Sequence, residues 1–394
     1  MIVKPFAIIL TGLMFLSAGC QSISIVPETG TCTASTPVNP AFSRSDALTR
    51  AMEDLVQQAG VPGCALAVYS ETEGWWEYAA GFARIEDQTT MQPCHQHFLQ
   101  SISKTYMAVG ILRLYEQGKL SLDAPFSQYL PERYHKYLPD TEKITVRMLL
   151  NHTSGLPEYN FAAAYVTQLL QHPDRVFSPE EYLGFIKGKA LDFEPGSKYA
   201  YRNTNYLLLA LIADALTGDH VRYLREHIFM PLGLTHTFYR ETPDYLNTPD
   251  LVNSYWDRYG DGQVENVTAM QRTNVSTLIG DDGIITSPAE AVLFLKGLIG
   301  GQLLADSTLS LMKTWVHDSK GNPAYGLGLD YSTIADQPCW GHSGGGIGAG
   351  CELYYFPAQQ VYVFFTINLG AVTESPIHQR AGTARKSLYK ALLE

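Results

Sequence analysis

Ser101 and Lys104 stand three positions apart, a spacing that serves nucleophilic catalysis by a serine. If the segment is helical, residues i and i+3 lie on one face, so the lysine amine can reach the serine hydroxyl. A serine becomes a strong nucleophile when a base takes its proton, and a lysine with a depressed pKa can be that base. The start of a helix also favours a developing oxyanion. Ser310 and Lys313 repeat the spacing inside a predicted helix, where no N–H groups remain for an oxyanion.

A tyrosine and an asparagine two positions apart form a second candidate element. Tyr201-Arg202-Asn203 follows the turn Glu194-Pro195-Gly196 and precedes an apolar segment of helical pattern. A tyrosine at a helix entrance can face a cleft, and between cations the pKa of its phenol falls toward the range useful for a base. The Asn203 amide can bind both a lysine ammonium and a substrate carbonyl. Because Tyr245-Leu246-Asn247 repeats the pattern in a predicted loop, the tripeptide alone does not identify a site.

A glycine-rich segment, Trp340-Gly341-His342-Ser343-Gly344-Gly345-Gly346, ends a predicted strand. Glycines such as Gly344 and Gly345 let another backbone approach closely or leave an N–H pointing at a ligand. His342 could orient a substrate or assist proton movement. Two alternatives are a hairpin turn with an incidental histidine and a Gly-x-Ser-x-Gly nucleophile elbow centred on Ser343. The elbow requires a helix after the turn, whereas the residues from Gly350 onward have the pattern of a strand.

The rest of the chain must bring these three elements to one cleft. Two strand patterns predict a hairpin, at residues 64–69 and 74–80. Residues 101–117 predict a long helix that ends at Gly118, and several helical patterns occupy residues 144–298. Strand patterns return at residues 325–331, 339–343, 351–356 and 361–368. The predicted class is therefore α+β, with one antiparallel sheet built from both chain ends, flanking helices and an inserted helical subdomain.

Together these motifs resemble those of the serine β-lactamase and penicillin-binding protein superfamily, specifically its class C branch. That branch includes class C β-lactamases, DD-carboxypeptidases, D-aminopeptidases and several esterases. The resemblance covers roughly residues 47–390, and it is also carried by residues 112–123, 144–156, 193–196 and 325–328. The Ser-Asp-Asn element and the deacylating glutamate of class A enzymes have no evident counterpart, which favours the class C branch.

The resemblance implies a β-lactamase/DD-peptidase-like fold and a role for each motif. Ser101 would form an acyl-enzyme, with Lys104 and Tyr201 sharing the general-base work. The implied substrate-binding residues are Asn203, His342 and Gly344, and the implied oxyanion hole consists of the N–H groups of Ser101 and Gly345. His342 would stand where many β-lactamases carry the lysine of Lys-Thr-Gly. No metal ion or other cofactor is expected.

Departures from the family pattern bear on the substrate. His-Ser-Gly in place of Lys-Thr-Gly lacks a cation for a substrate carboxylate, and residues 320–342 contain no arginine to replace it. The predicted function is a monomeric serine hydrolase of peptide or ester bonds, most economically a penicillin-binding D-alanyl-D-alanine carboxypeptidase-like enzyme of the cell envelope. Alternatives are a carboxylesterase or weak class C-like β-lactamase and, in another class, a non-catalytic lipoprotein that binds peptidoglycan. The expected partner is a small peptide, a β-lactam or an ester.

The first 43 residues predict export and tethering. Lys4, an apolar run and small residues before Cys20 are typical of a secretory signal. Its end resembles a bacterial lipobox, which implies cleavage before Cys20 and a lipid on the cysteine sulfur; ordinary cleavage to a soluble product is the alternative. The predicted parts are a lipoprotein signal peptide at residues 1–19, a flexible tether at 20–43 and the hydrolase domain at 44–394. The protein would then lie on the periplasmic side of a membrane, in contact with it only through Cys20.

The charge of the chain excludes one class of partner. The formal net charge is −11, and lysine and arginine form no cluster. Since phosphate binding needs clustered cations, nucleic acid is not expected as a partner.

Six cysteines fit an oxidising compartment. We expect a disulfide between Cys339 and Cys351 across the glycine-rich hairpin. Cys64 with Cys94 is the second expected pair, which leaves Cys32 on the tether.

Overall fold

The computed structural model describes residue 32 and residues 36–394, which belong to one compact unit. Its strands are β1 (Gly63–Ser70), β2 (Gly74–Arg84), β3 (Thr89–Thr90), β4 (His97–Phe98), β5 (Tyr255–Trp256), β6 (Glu265–Asn266), β7 (Ile285–Thr286), β8 (Val316–His317), β9 (Pro323–Tyr325), β10 (Asp330–Ile334), β11 (Gln337–Gly345), β12 (Gly350–Phe356) and β13 (Val361–Ile367). Its α-helices are α1 (Ser45–Gln57), α2 (Ser103–Glu116), α3 (Val146–Leu150), α4 (Ala163–Gln171), α5 (Pro179–Gly184), α6 (Asn203–Thr217), α7 (His220–Leu224), α8 (Thr268–Thr277), α9 (Pro288–Ile299), α10 (Asp306–Met312) and α11 (Pro376–Leu393).

The main sheet is antiparallel, with nine strands in the order β3-β2-β1-β13-β12-β11-β10-β9-β8. Cys64 of β1 pairs with Ile367 of β13 on one side and with Ala80 of β2 on the other. All of β13 and nearly all of β1 are buried, which is why these strands are continuously apolar and do not alternate. The predicted α+β class, with one sheet assembled from both chain ends, is confirmed, and the predicted hairpin is β1–β2.

One predicted strand is interrupted. Residues 325–331 have a continuous strand pattern, but the N–H of Gly326 donates to the Leu329 carbonyl at 2.7 Å, and Gly328 has φ 86°. The chain therefore reverses, and β9 and β10 run side by side with Tyr325 opposite Asp330. The strand pattern of residues 325–331 does not reveal that two of its glycines permit this reversal.

Helices cover both faces of the sheet. The helices α1 and α11 pack together on one face, over a core that includes Leu55 and Leu388. The helix α9 packs on the other face against β1, β12 and β13, and from there a larger core extends through α2 and α6. The helix α6 is apolar on nearly all sides because it contacts α2, α3 and α7.

The helix that carries the Ser-x-x-Lys motif forms where the sequence predicts it. A single 3₁₀ turn, Gln100–Ile102, leads directly into α2. The helix ends before Gly118, whose φ of 68° is left-handed and favours glycine. Ser101 therefore lies at the N-terminal end of a long buried helix.

The compact unit begins before the predicted domain boundary. Val38 forms a bridge with Trp75 of β2, the N–H of Asn39 donates to the Trp75 carbonyl at 2.8 Å, and Phe42 is buried. Residues 36–43 thus pack against β2, so the expectation of a flexible tether does not hold for this stretch. Val38 and Phe42 supply apolar contacts that the overall Ser, Thr and Pro content conceals.

The predicted signal peptide and Cys20 lie outside the described residues. Within residues 36–394, no helix is both long enough and apolar enough to cross a membrane.

The cysteine pairing differs from both expectations. Cys32 is bonded to Cys94 with 5.6 Å between their Cα atoms, whereas Cys64, Cys339 and Cys351 are buried thiols. In the register of β11 and β12, Cys351 is opposite Gly344, five positions from Cys339. That is about 17 Å along the strand, while a disulfide needs Cα atoms within about 7 Å. Cys339 and Cys351 also belong to the cores on opposite faces of the sheet.

Candidate active site

A cleft of about 350 Å³ opens where the start of α2 meets β11. It is lined by Ser101, Tyr199, Tyr201, Tyr325, Asp330, His342, Ser343 and Gly345. A larger groove, of about 850 Å³, lies beside α7, and another, of about 970 Å³, is lined by residues between Arg225 and Thr248. Neither groove includes a residue of the three motifs, so volume alone would locate the chemistry wrongly.

The backbone at Ser101 is held in an unusual conformation by β11. Gln100, directly before Ser101, is buried and has φ 48°, a left-handed value that is costly for a residue with a side chain. A Cβ on Gly344 would lie 2.5 Å from the Leu99 carbonyl oxygen, so only glycine lets the strand approach this closely. Gly344 therefore packs against the backbone just before Ser101, and it is not among the residues that line the cleft.

Lys104 is completely buried, and its amine contacts the nucleophile. Its Nζ lies 2.9 Å from Ser101 Oγ and 2.9 Å from the Asp281 carbonyl oxygen. Burial lowers the pKa of Lys104, and nearby carboxylates only partly oppose this effect. A neutral amine has two N–H groups and one lone pair. The Asp281 carbonyl can only accept a hydrogen bond, so an N–H is used there and the lone pair can face the Ser101 hydroxyl.

The second Ser-x-x-Lys has no such environment. Ser310 is exposed within α10, and its hydroxyl donates back to the Asp306 carbonyl of the same helix. The elbow centred on Ser343 is also excluded, because Ser343 lies in β11 and the next element is β12. Ser101 is thus the one candidate nucleophile that the structure places against a buried lysine.

Tyr201 lies beside this pair, but its ionisation differs from the expectation. Its ring centroid is 5.0 Å from Lys104 Nζ, and its hydroxyl is buried without a hydrogen-bond partner of ordinary geometry in the described chain. Burial raises the pKa of Tyr201 well above 10; the Ser101 hydroxyl opposes the rise, and the charges of Asp281, Glu158 and Asp330 add to it. The expected pair of flanking cations is absent from this environment. This direction of the pKa shift keeps the Tyr201 phenol protonated, which leaves Lys104 as the candidate first proton acceptor.

His342 is buried, and both of its ring nitrogens have partners. Nδ1 lies 2.5 Å from the Ser343 carbonyl oxygen, and Nε2 lies 2.8 Å from the Tyr325 hydroxyl. Because a carbonyl only accepts, Nδ1 carries the hydrogen and Nε2 accepts from Tyr325. Burial and then the charge of Lys104 lower the pKa of His342 to about 3. This imidazole is part of the cleft wall, and the Tyr325 hydroxyl occupies its Nε2 lone pair.

Asn203 occupies the first position of α6. Its main-chain N–H donates to a Glu158 carboxylate oxygen, and its side chain makes no hydrogen bond within the described residues. Burial raises the pKa of Glu158 to about 6. Asn203 does not line the cleft, so its expected role in binding the substrate amide stays a prediction. Gly345, by contrast, lines the cleft together with Ser101, and their predicted role in an oxyanion hole stays a prediction.

A group of buried acids behind Lys104 was missed by the sequence analysis. Asp281, Asp282 and Glu158 all influence the pKa of Lys104, and burial raises the pKa of Asp282 to about 7. The Tyr159 hydroxyl donates to Asp281 at 2.6 Å, while the other carboxylate oxygen of Asp281 is buried without a partner in the described residues.

The signal that could have revealed this group is the run Gly280-Asp281-Asp282-Gly283. Both glycines have positive φ, and a Cβ on Gly280 would lie 2.3 Å from the Tyr206 carbonyl oxygen in α6. The two glycines thus bring the acidic pair close to α6, next to the lysine. From the sequence alone, an acidic pair between glycines is typical of an exposed turn.

Comparison with known proteins agrees with this geometry. The model of the Beta-lactamase family matches residues 48–384. The chain is 26% identical over 250 residues to a putative penicillin-binding protein, PbpX of Bacillus subtilis (strain 168), an alignment that covers 63% of this chain and 57% of that protein. The chain spans between 37% and 57% of the length of the curated relatives it matches.

Two solved structures are similar over most of the chain. The D-stereospecific amidohydrolase from Streptomyces sp. is 26% identical with a TM-score of 0.74, and the match covers 86% of this chain and 97% of that one. The D-amino acid amidase from Ochrobactrum anthropi SV3 is 25% identical with a TM-score of 0.77, covering 89% and 98%. With a serine–lysine pair at the start of a buried helix and a family match over nearly the whole domain, this chain belongs to the Beta-lactamase family, in the superfamily of serine β-lactamases and penicillin-binding proteins.

Proposed function

We propose that the protein hydrolyses an amide or ester bond of a small substrate through an acyl-enzyme on Ser101. The observation that carries this proposal is the 2.9 Å contact between Ser101 Oγ and Lys104 Nζ, in a site where burial lowers the lysine pKa. A serine in contact with a buried amine of lowered pKa has its base in place once that amine loses its proton.

The proposed chemistry uses residues that are already in contact. Lys104 accepts the Ser101 proton as Oγ attacks the substrate carbonyl carbon, and the N–H groups of Ser101 and Gly345 bind the carbonyl oxygen as it becomes negative. The bond to the leaving group then breaks, and the leaving group takes a proton delivered through Lys104 or Tyr201. Water attacks the resulting ester in the reverse sense, which frees the acid and returns the proton to Ser101.

The substrate class is the finer part of the proposal. A D-alanyl-D-alanine carboxypeptidase must hold a terminal carboxylate, but no lysine or arginine lines the cleft. Amides of D-amino acids are the second candidate. The two solved structures described above favour it, since their names describe D-stereospecific and D-amino acid substrates. We place this activity in the cell envelope, on the strength of the signal-like sequence before Cys20.

Labelling of the nucleophile tests the proposal. A fluorescent penicillin or a p-nitrophenyl ester should acylate the wild-type protein, with the mass increase mapped to the peptide that contains Ser101. Ser101→Ala should abolish labelling and turnover, because no other hydroxyl among residues 36–394 makes a hydrogen bond with Lys104. Ser343→Ala is the matched control and should stay within about tenfold of wild type, since it removes no proton-transfer group. Labelling that persists in Ser101→Ala and disappears in Ser343→Ala would show that the assignment is wrong.

A further inference from the structure

Asp330 lies in the cleft without an assigned role. It lines the same cleft as Ser101 and stands directly opposite Tyr325 in the pairing of β9 with β10. Side chains at directly opposed positions of an antiparallel pair project from the same face, with Cβ atoms about 5 Å apart. The Tyr325 hydroxyl reaches His342, so Asp330 is a neighbour of groups that form the cleft wall.

Only one oxygen of the Asp330 carboxylate is engaged by the protein. Oδ2 accepts a hydrogen bond from the Tyr354 hydroxyl at 2.6 Å, while Oδ1 has no hydrogen-bond partner in the described chain. Asp330, Gly341 and Tyr354 lie side by side on three adjacent strands, and the missing side chain of Gly341 lets Tyr354 reach across. Tyr354 thereby fixes the carboxylate and leaves Oδ1 available.

No cation of the described chain neutralises this carboxylate. None of its lysine or arginine side chains lies within salt-bridge distance of Asp330, and no lysine or arginine lines the cleft. Burial and the charge of Glu352 raise the pKa of Asp330 to about 6, with the Tyr354 hydrogen bond acting in the opposite direction. A mostly buried carboxylate with no cation beside it costs free energy that a ligand cation can recover.

We propose that Asp330 binds the protonated amino group of the substrate, so that the substrate is an amide, ester or short peptide of an amino acid whose amino group is free. This inference rests on the proposed function, since it describes the substrate that Ser101 attacks. A substrate with a carboxylate at this point would face a like charge, whereas an ammonium gains a charge-assisted hydrogen bond to Oδ1. The cleft thereby selects against peptides whose only charged group there is a carboxylate.

Two substrates that differ only in the amino group test this inference. D-alanine p-nitroanilide and its N-acetyl derivative have the same leaving group, and kcat/KM for each is measured by p-nitroaniline release. Wild-type protein should prefer the free amine by about tenfold to a hundredfold, the range for a hydrogen bond to a charged group. Asp330→Asn should lose most of that preference, with the acetylated substrate changed less than about twofold. Asparagine still accepts from Tyr354, so the wall should keep its shape.

The control is Asp336→Asn, an exposed position in the turn between β10 and β11, where φ is 60° and asparagine fits. It should leave the preference unchanged. The inference is wrong if wild-type protein hydrolyses the acetylated substrate as fast as the free amine, or if Asp330→Asn keeps the preference for the free amine. The wild-type result is decisive even if the Asp330→Asn variant does not fold. Failure of the proposed function would look different, because neither substrate would turn over and penicillin would not label Ser101.

Discussion

The charge on Asp281 should set the pH at which Lys104 becomes a base. Asp281→Asn is a conservative change at this position, because the amide oxygen can still accept from Tyr159 and the main-chain carbonyl still binds Lys104 Nζ. The amide nitrogen would take the place of the carboxylate oxygen that has no partner in the described residues. The variant therefore removes a charge and leaves the contacts of the lysine in place.

The expected magnitude follows from the charges around the lysine. An opposite charge within about 4–6 Å shifts a pKa by roughly one to three units. Asp282 and Glu158 also act on Lys104 and remain in the variant, so we expect the low end, about one unit, or ~1.4 kcal/mol. Carboxylates favour the ammonium form, so loss of one lowers the lysine pKa further. The neutral amine then forms at lower pH. The rise of kcat/KM with pH should therefore also move to lower pH.

The assay is kcat/KM for an uncharged p-nitrophenyl ester from about pH 5 to about pH 9, which reports the ionisation of the free enzyme. An uncharged ester avoids any effect of charge at Asp330. The matched control is Asp336→Asn, because Asp336 is exposed and far from Asp281 in the sequence. This variant should not move the rise of kcat/KM with pH. A rise that stays fixed in Asp281→Asn, or that moves to higher pH, would refute the assignment of Lys104 as the base.

Three further predictions concern Lys104, Tyr201 and the disulfide. Lys104→Met, which keeps the length of the side chain, should slow acylation of Ser101 about 10²–10⁴-fold in single-turnover measurements. Equal acylation rates in wild type and Lys104→Met would contradict the mechanism. Tyr201→Phe should slow hydrolysis of the acyl-enzyme more than its formation. Loss of the Cys32–Cys94 disulfide, which closes a loop with a sequence separation of 62, should cost about 4 kcal/mol of unfolding free energy, measured by urea denaturation with and without reductant. An unchanged midpoint under reducing conditions would show that the bond contributes nothing.

The sequence was sufficient for features with local signals. The helix from Ser101 onward has a clear apolar pattern and a glycine stop, and the spacing of Ser101 and Lys104 on one helical face needs no tertiary information. The β1–β2 hairpin follows from two apolar runs with a short connection. Burial of the lysine could also be anticipated, since the residues that follow it in α2 are mostly apolar.

Features set by long-range packing could not be predicted in the same way. Glu158 and Asp281 are 123 positions apart, and nothing in either local sequence shows that both lie near Lys104. The pKa of Tyr201 is raised first by burial and then by the charges of nearby acids, and both causes depend on the same packing. The prediction of a Cys339–Cys351 disulfide was wrong for a related reason, because strand register decides which cysteines lie opposite each other.

The pairing of β1 with β13 constrains the order in which the chain can fold. Synthesis completes β1 at residue 70, but the strand that covers its second edge begins only at residue 361. Until then β1 and β2 form a two-stranded hairpin with an open apolar edge, and such a hairpin is marginally stable alone and prone to pair with other chains. Ser101 and Lys104 are made early, yet β11, which completes their cleft, follows more than 200 residues later. The cleft therefore cannot be complete until most of the described chain has been synthesised.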